Sequence, residues 1–247
     1  MTLTLTGIEI EGLSGHLSPN VTAWHVLPDR NPAATVVPSF GHGRDRAVTL
    51  VGRSPRSACA NGRPGRGGTR DGRRRLGCVS VRLLLTSDTH LPRRAKRLPE
   101  PLLDELPRAD VVFHAGDWVD TATLDLLESR SRRLVGVYGN NDGPELRARL
   151  PEVAYVELDG LRFGVIHETG PARGREARCA ARFPDLDVLV FGHSHIPWDT
   201  TAATGLRLLN PGSPTDRRRQ PQCTYMTAAI TDGRLDEVEL HGLPPRR

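Results

Sequence analysis

Short continuous apolar runs recur through the second two thirds of the chain, and each stops at a polar turn. Residues 81–85 run into Thr86-Ser87-Asp88, residues 110–115 into Gly116-Asp117, and residues 134–138 into Gly139-Asn140. Runs of this length, bounded by turn residues, predict buried strands. Two stretches between them predict helices. Residues 99–106 carry proline near the first turn and Pro107 after the last. Residues 120–128 have Asp120 or Thr121 as a cap and Ala122, Leu124 and Leu127 on one face. Strand, helix, strand, helix, strand with short links predicts parallel pairing through right-handed crossovers.

The second half of this region follows a different pattern. Residues 153–158 and 161–167 flank Asp159-Gly160, residues 200–203 and 206–210 flank Thr204-Gly205, and residues 223–230 and 235–240 flank Asp232-Gly233. Each pair reads as a hairpin. Residues 173–183 predict a helix and residues 186–191 another buried strand. Three hairpins after a βαβαβ half predict an α/β fold of two mixed sheets packed face to face, with helices outside.

Residues 1–78 show only a weak alternation over 1–10 and one short strand over 47–51. From 53 to 77 the chain is arginine, glycine, proline and serine with almost no large apolar side chain. Such a stretch buries too little area to offset chain entropy, which predicts disorder. The expected organisation is therefore a basic, low-complexity tail over 1–78 and a folded domain over 79–247. Because periodic sequence begins abruptly at Val79 or Val81, and one valine codon can initiate translation in bacteria, a native start there is a further expectation.

Charge sharpens this division. The formal net charge is +5, but residues 1–78 hold 11 Arg and 5 acidic side chains, and the remainder is balanced at 23 basic against 24 acidic. The basic excess belongs to the tail, so the high isoelectric point is no argument for nucleic-acid binding by the domain. Cys59, Cys78, Cys179 and Cys223 form no Cys-x-x-Cys pair, which removes zinc-ribbon and thioredoxin readings and leaves free thiols in a reducing cytoplasm as the expectation. No stretch approaches the roughly 18 apolar residues of a membrane span. Residues 1–10 lack the features of a signal peptide. The expected location is the cytoplasm.

Loops at the carboxyl ends of parallel strands converge on one crevice. Asp88, Asp117, Asn140, His167 and His193 each follow an apolar run. Asp88 and His90 are two apart, and His193 and His195 repeat that spacing after Gly192, which lets the backbone bend closely. Either pair alone is commonly a cap or a surface feature. Both together, with Asp117 and Asn140 likewise placed, offer hard oxygen and borderline nitrogen donors for two divalent cations. That chemistry suits hydrolysis of phosphate esters.

In order, Asp88-Thr89-His90, Gly116-Asp117, Gly139-Asn140-Asn141-Asp142, His167 and Gly192-His193-Ser194-His195 resemble the signature of the calcineurin-like metallophosphoesterases. The later Asn210-Pro211-Gly212-Ser213 is similar to the compact, single-domain branch of small prokaryotic phosphodiesterases. The resemblance covers residues 81–240 and none of residues 1–78. It implies a four-layer αββα sandwich. It also implies a first metal on Asp88, His90, Asp117 and His195, and a second on Asp117, Asn140, His167 and His193, with Asp117 bridging. A hydroxide shared by the two ions would attack phosphorus in line. The ligand mixture favours manganese, with iron, zinc, cobalt or nickel as alternatives, over magnesium alone.

The chain departs from the pattern twice. Asn141 stands where many relatives have histidine near the leaving group. It cannot donate a proton near neutral pH but can hydrogen-bond a phosphate oxygen. Glu168 follows His167 where relatives often have glycine, which implies either orientation of His167 or repulsion of an anionic substrate. Arg93 and Arg94 are candidate phosphate grips, against the alternative of a solvated basic turn. His114 is expected to pack within its strand, Arg217 to Arg219 to be solvated, Asn210-Pro211-Gly212-Ser213 to shape a turn, and Trp118 and Trp198 to wall the pocket or fill the core. His16, His25 and His42 have no partner set. A phosphate ester is the expected partner. A homo-oligomer stays open, a nucleic acid is suggested only by the tail, and no membrane is expected. The alternative function is a non-catalytic docking scaffold, because the retromer scaffold subunit resembles the same branch. Scaffolds can lose a ligand, whereas this chain keeps all seven.

Overall fold

The computed structural model describes residues 34–36, 48–52 and 80–244. The elements in chain order are β1 (Ala34–Val36), β2 (Val48–Gly52), β3 (Val81–Thr86), α1 (Glu100–Glu105), β4 (Val111–His114), α2 (Thr121–Arg130), β5 (Leu134–Gly136), α3 (Pro144–Arg149), β6 (Val153–Leu158), β7 (Leu161–Ile166), α4 (Arg175–Arg182), β8 (Val188–Phe191), β9 (Trp198–Thr201), β10 (Arg207–Asn210), β11 (Cys223–Thr231) and β12 (Arg234–Leu243). One sheet has seven strands in the order β1-β2-β6-β7-β8-β10-β9, and the other has five in the order β12-β11-β3-β4-β5. β3, β4 and β5 pair in parallel, as do β7, β8 and β10. The three expected hairpins are the antiparallel pairs β6–β7, β9–β10 and β11–β12.

Continuous apolar strands arise here because both faces of each sheet are covered. Leu83, Leu85 and Phe113 of the five-stranded sheet meet Val156, Phe163, Val165 and Val190 of the seven-stranded one. The rings of Phe113 and Phe163 stack at 5.4 Å between centroids across that interface. Alternate residues Leu84 and Val112 turn the other way, onto Leu102, Leu124, Leu127 and Leu146 of α1, α2 and α3. Leu189, Phe191 and Leu208 turn outward onto Cys179, Ala180 and Phe183 at α4. The layers are helix, sheet, sheet, helix: the expected αββα sandwich.

Three local features differ from expectation. α3 has no sequence period to reveal it: Leu146 is its one buried residue, and it starts on Pro144 after Gly143. On α2 the cap is Asp120, whose carboxylate accepts from the Thr123 amide at 2.9 Å and hydroxyl at 2.6 Å. With its hydroxyl satisfied, Thr123 takes the buried face beside Leu124 and Leu127, and Ala122 is exposed. Third, β1 was not anticipated. It forms the sheet edge and pairs with β2, which matches the strand expected at 47–51 and runs parallel to β6. The disorder expected for 53–77, the rest of the tail with its histidines, and Cys59 and Cys78 lie outside the described residues. Cys179 is a buried free thiol. Among the described residues no helix is long and apolar enough to cross a membrane.

The sheet interface and the helix cap should differ in their effect on stability. Phe163→Ala is expected to cost about 3–5 kcal/mol, and Asp120→Ala about 1 kcal/mol, in urea unfolding. Equal costs would contradict a core lying between the sheets.

Candidate metal centre

Strands of both sheets deliver the candidate ligands to one place. Asp88 lies just past β3, Asp117 past β4, Asn140 past β5, His167 past β7, and His193 with His195 past β8. The backbone there is strained. Asp88, His90, Asp117, His193 and His195 have φ of 54°, 44°, 61°, 68° and 58°, half of the ten non-glycine residues with positive φ among those described. Each costs roughly 1–2 kcal/mol for a residue bearing a Cβ. Left-handed turns aim successive side chains inward instead of letting them alternate. Close approach of the loops also demands Gly192, where a Cβ would sit 2.8 Å from both the Ala115 carbonyl and Asp88 Oδ2.

The candidate ligand atoms form two neighbouring clusters, with Asp88 close to atoms of both and Asp117 Oδ2 lying between them. In the first, His195 Nε2 lies 3.2 Å from Asp88 Oδ1 and 3.2 Å from His90 Nε2, and His90 Nε2 lies 3.5 Å from Asp117 Oδ2. In the second, His167 Nε2 lies 3.4 Å from the same Asp117 Oδ2 and 3.0 Å from Asn140 Oδ1, which is 2.9 Å from His193 Nδ1. Bonds of about 2.1 Å at tetrahedral or octahedral angles separate ligand atoms by roughly 3.0–3.4 Å. The observed spacings of 2.9–3.5 Å lie close to that range, and His90 Nε2 to Asp88 Oδ1 is wider at 3.8 Å. Asp88, Asp117 and His195 are buried, whereas Asn140 is exposed and His193 half-buried, so the second cluster faces solvent.

Hydrogen positions make the case for a cation. His195 Nδ1 donates to the Asp216 carbonyl at 2.6 Å, and His167 Nδ1 donates to the Ala115 carbonyl at 2.7 Å. A carbonyl only accepts, so the neutral rings carry their hydrogen on Nδ1 and leave Nε2 bare. Those lone pairs point at carboxylate and amide oxygens. Asp88 Oδ1 is buried and has no hydrogen-bond donor. Without a metal, a proton takes the role. Burial pulls His167 downward, but its hydrogen bond to Asp117 and the charges of Asp88 and Asp117 outweigh burial and push its pKa up to about 9. Asp117 is raised by burial, yet His167 and the Asn141 amides hold it well below the usual carboxylate range. Burial lowers His90.

Residues not singled out as ligands hold this arrangement. Asp142 accepts the amides of Gly139 (2.7 Å), Val119 (2.7 Å) and Asp117 (3.0 Å), joining the loops after β4 and β5. Its place at the end of the Gly139 run was the available signal. Asn210-Pro211-Gly212-Ser213 does more than shape a turn: Asn210 Nδ2 donates to the Gly192 carbonyl and the Ser213 hydroxyl to the Asp88 carbonyl, at 2.8 and 2.7 Å. Thr215 donates to the Thr89 carbonyl at 2.7 Å. His114 is buried as expected, stacked on Trp118 at 3.4 Å with Nε2 3.1 Å from the Thr89 hydroxyl. Trp118 fills the core, and Trp198 lies under the Arg175 guanidinium.

The remaining candidates are placed as follows. Asn141 gives one amide hydrogen to Asp117 Oδ2 at 2.6 Å and is otherwise exposed. Glu168 does not orient His167, whose ring is already fixed by the Ala115 carbonyl; it lies 3.9 Å from His193 Nε2. Arg94 pairs with Asp216 at 3.3 Å, Arg93 is exposed, and neither lines the groove that holds Asn140 and His167. Arg217 to Arg219 are exposed. Asp142→Asn puts an NH₂ against backbone N–H groups. It is expected to cost about 1.5–3 kcal/mol in urea unfolding with chelator present, and a cost below 0.5 kcal/mol, roughly that of a surface change, would remove Asp142 from this role.

Residues 81–233 match the calcineurin-like phosphoesterase superfamily domain. A probable metallophosphoesterase of Methanocaldococcus jannaschii is 37% identical over 149 residues, 59% of this chain and 74% of that protein. A phosphodiesterase of the same organism is 26% identical over 169 residues, 63% of this chain and 93% of its own length. Among solved structures, Vps29 of Entamoeba histolytica complexed with zinc superposes with a TM-score of 0.54 at 25% identity, covering 66% of this chain and 98% of that one. With the αββα layers and two buried Asp/His groups that could hold metal, these matches show that the chain belongs to the calcineurin-like phosphoesterase superfamily.

Proposed function

We propose that the chain is a dinuclear-metal phosphodiesterase. The observation that carries this reading is Asp117 Oδ2, which lies between two groups of metal-ligating atoms, 3.5 Å from His90 Nε2 and 3.4 Å from His167 Nε2. Asp88, His90, Asp117 and His195 would hold one divalent cation, and Asp117, Asn140, His167 and His193 the other, with manganese the first ion to test. Two such cations supply a nucleophile at neutral pH and neutralise charge on the phosphoryl oxygens.

The protein residues supply placement. The buried first cluster fixes its ligands rigidly, and the second, where Asn140 is exposed and His193 half-buried, leaves room for a substrate to approach. Asn141 holds Asp117 through two hydrogen bonds, from its backbone N–H at 2.8 Å and its amide at 2.6 Å. Its second amide hydrogen is available to a phosphate oxygen. The relative named as a phosphodiesterase supports a diester substrate. The likeness to zinc-bound Vps29 supports a second reading, a docking scaffold of the same fold, so metal binding alone does not separate the two.

Turnover separates them. The full chain, stripped with chelator and reloaded with manganese, is expected to hydrolyse bis(p-nitrophenyl) phosphate. Asp117→Ala and His193→Ala should lower kcat about a hundredfold or more while each variant still unfolds cooperatively. Undiminished turnover in either variant would refute the site. A folded, metal-loaded and inactive wild type would leave the scaffold.

A further inference from the structure

A groove of about 580 Å³ opens beside the second cluster, lined among others by Asn140, His167, Tyr138, Arg147, Arg178 and Arg182. Its charged groups are not equally engaged. Glu152, also in the lining, accepts from the Tyr138 hydroxyl at 3.3 Å and lies 4.0 Å from Arg182 Nη2. Glu168 faces His193. Arg147 and Arg178 are held by main-chain carbonyls instead. Arg147 donates through Nε to the Asp142 carbonyl at 2.8 Å and through Nη2 to the Gly139 carbonyl at 3.0 Å, with its guanidinium 4.5 Å above the Tyr138 ring. Arg178 donates through Nε and Nη2 to the Thr169 carbonyl at 3.1 and 2.9 Å, through Nη2 also to the Pro171 carbonyl at 2.5 Å, and through Nη1 to the Arg173 carbonyl at 3.3 Å, which leaves one Nη1 hydrogen for an anion.

Carbonyl oxygens orient a guanidinium without cancelling its charge. Among the described residues the groove's ion pairs are Arg182 with Glu152, His193 with Glu168 and His167 with Asp117, and neither Arg147 nor Arg178 takes part in one. Two pre-oriented cations therefore remain uncompensated beside the metal centre. They come from α3 and α4, helices that pack on different sheets, so the groove spans the two halves of the sandwich. Fixed guanidinium donors lose little entropy on meeting an anion and bind carboxylate or phosphate oxygens strongly.

We propose that this groove binds a second anionic group of the substrate, a carboxylate or phosphate carried beyond the scissile phosphorus, with Arg147 and Arg178 recognising it. The inference rests on the phosphoesterase reading for the identity of the first group. It narrows the substrate class to phosphate esters with at least one further negative charge. Uncharged leaving groups would leave both arginines unused.

The test measures binding to the manganese-loaded full chain by calorimetry, using phenylphosphonate, 4-carboxyphenylphosphonate and 1,4-phenylenediphosphonate. The extra anion is expected to tighten binding about tenfold over phenylphosphonate. That gain should be largely lost in Arg178→Gln and Arg147→Gln and kept in Arg178→Lys. A merely structural role would weaken all three ligands alike and leave the gain intact, which would overturn the proposal. Equal affinity of the three ligands for wild type would also overturn it. A larger gain for the diphosphonate assigns the groove to a second phosphoryl group; an equal or smaller one assigns it to a carboxylate. Turnover of bis(p-nitrophenyl) phosphate without any gain sinks the groove and leaves the hydrolase. A gain without turnover keeps the groove and sinks the hydrolase.

Discussion

Acceptor atoms that face one another, and need a cation or a proton between them, are the constraint on which this site is built. Asp88 Oδ1 points at the bare His195 Nε2 3.2 Å away, and Asp117 Oδ2 lies 3.4 Å from His167 Nε2, which is bare when its ring is neutral. Such an arrangement is repulsive, and a flexible chain would relax it. Here the relaxation is blocked on every side. Left-handed backbone holds five ligand residues inward, Asp142 locks two loops through three amides, and hydroxyls of Ser213 and Thr215 grip the main chain at Asp88 and Thr89. The core between the sheets supplies the rigidity that makes this strain sustainable.

The same constraint couples the site to protons. A metal and a proton compete for the bare nitrogen of His167, so metal affinity falls with acidity. In the metal-free chain the raised pKa of His167 contributes stability that is complete below its ordinary value of 6.5 and lost as pH rises through about 9. A bound cation substitutes for that proton and stabilises the folded state by mass action. Metal binding and fold stability are therefore coupled at this position.

Much of the site was legible because its ligands are punctuation marks. Each sits where an apolar run stops, and the topology of a parallel sheet then brings the stops together. The layer order followed from continuous apolar strands in the same way. What was not legible depends on long-range contact or on very short elements. Ser213 reaches a carbonyl 125 positions earlier in the chain, and nothing local to Asn210-Pro211-Gly212-Ser213 announces that. α3 has too little apolar periodicity to register, yet it carries Arg147 into the groove. Glu168 was read by adjacency to His167, whereas its carboxylate faces His193. Ala122 lost the buried face because a capping carboxylate made threonine acceptable there.

The clasp from residues 210 to 216 onto Asp88 and His195 has a consequence for biosynthesis. The first cation ligand emerges from the ribosome more than a hundred residues ahead of the hydroxyl that fixes its backbone. A nascent chain can fold its opening βαβαβ half early but has no finished coordination shell until the distal strap has been translated and docked. Retention of a cation at the first cluster would therefore wait until residues 210–216 have been made and docked, and a polypeptide terminated before them would carry the aspartates without the strap that fixes Asp88.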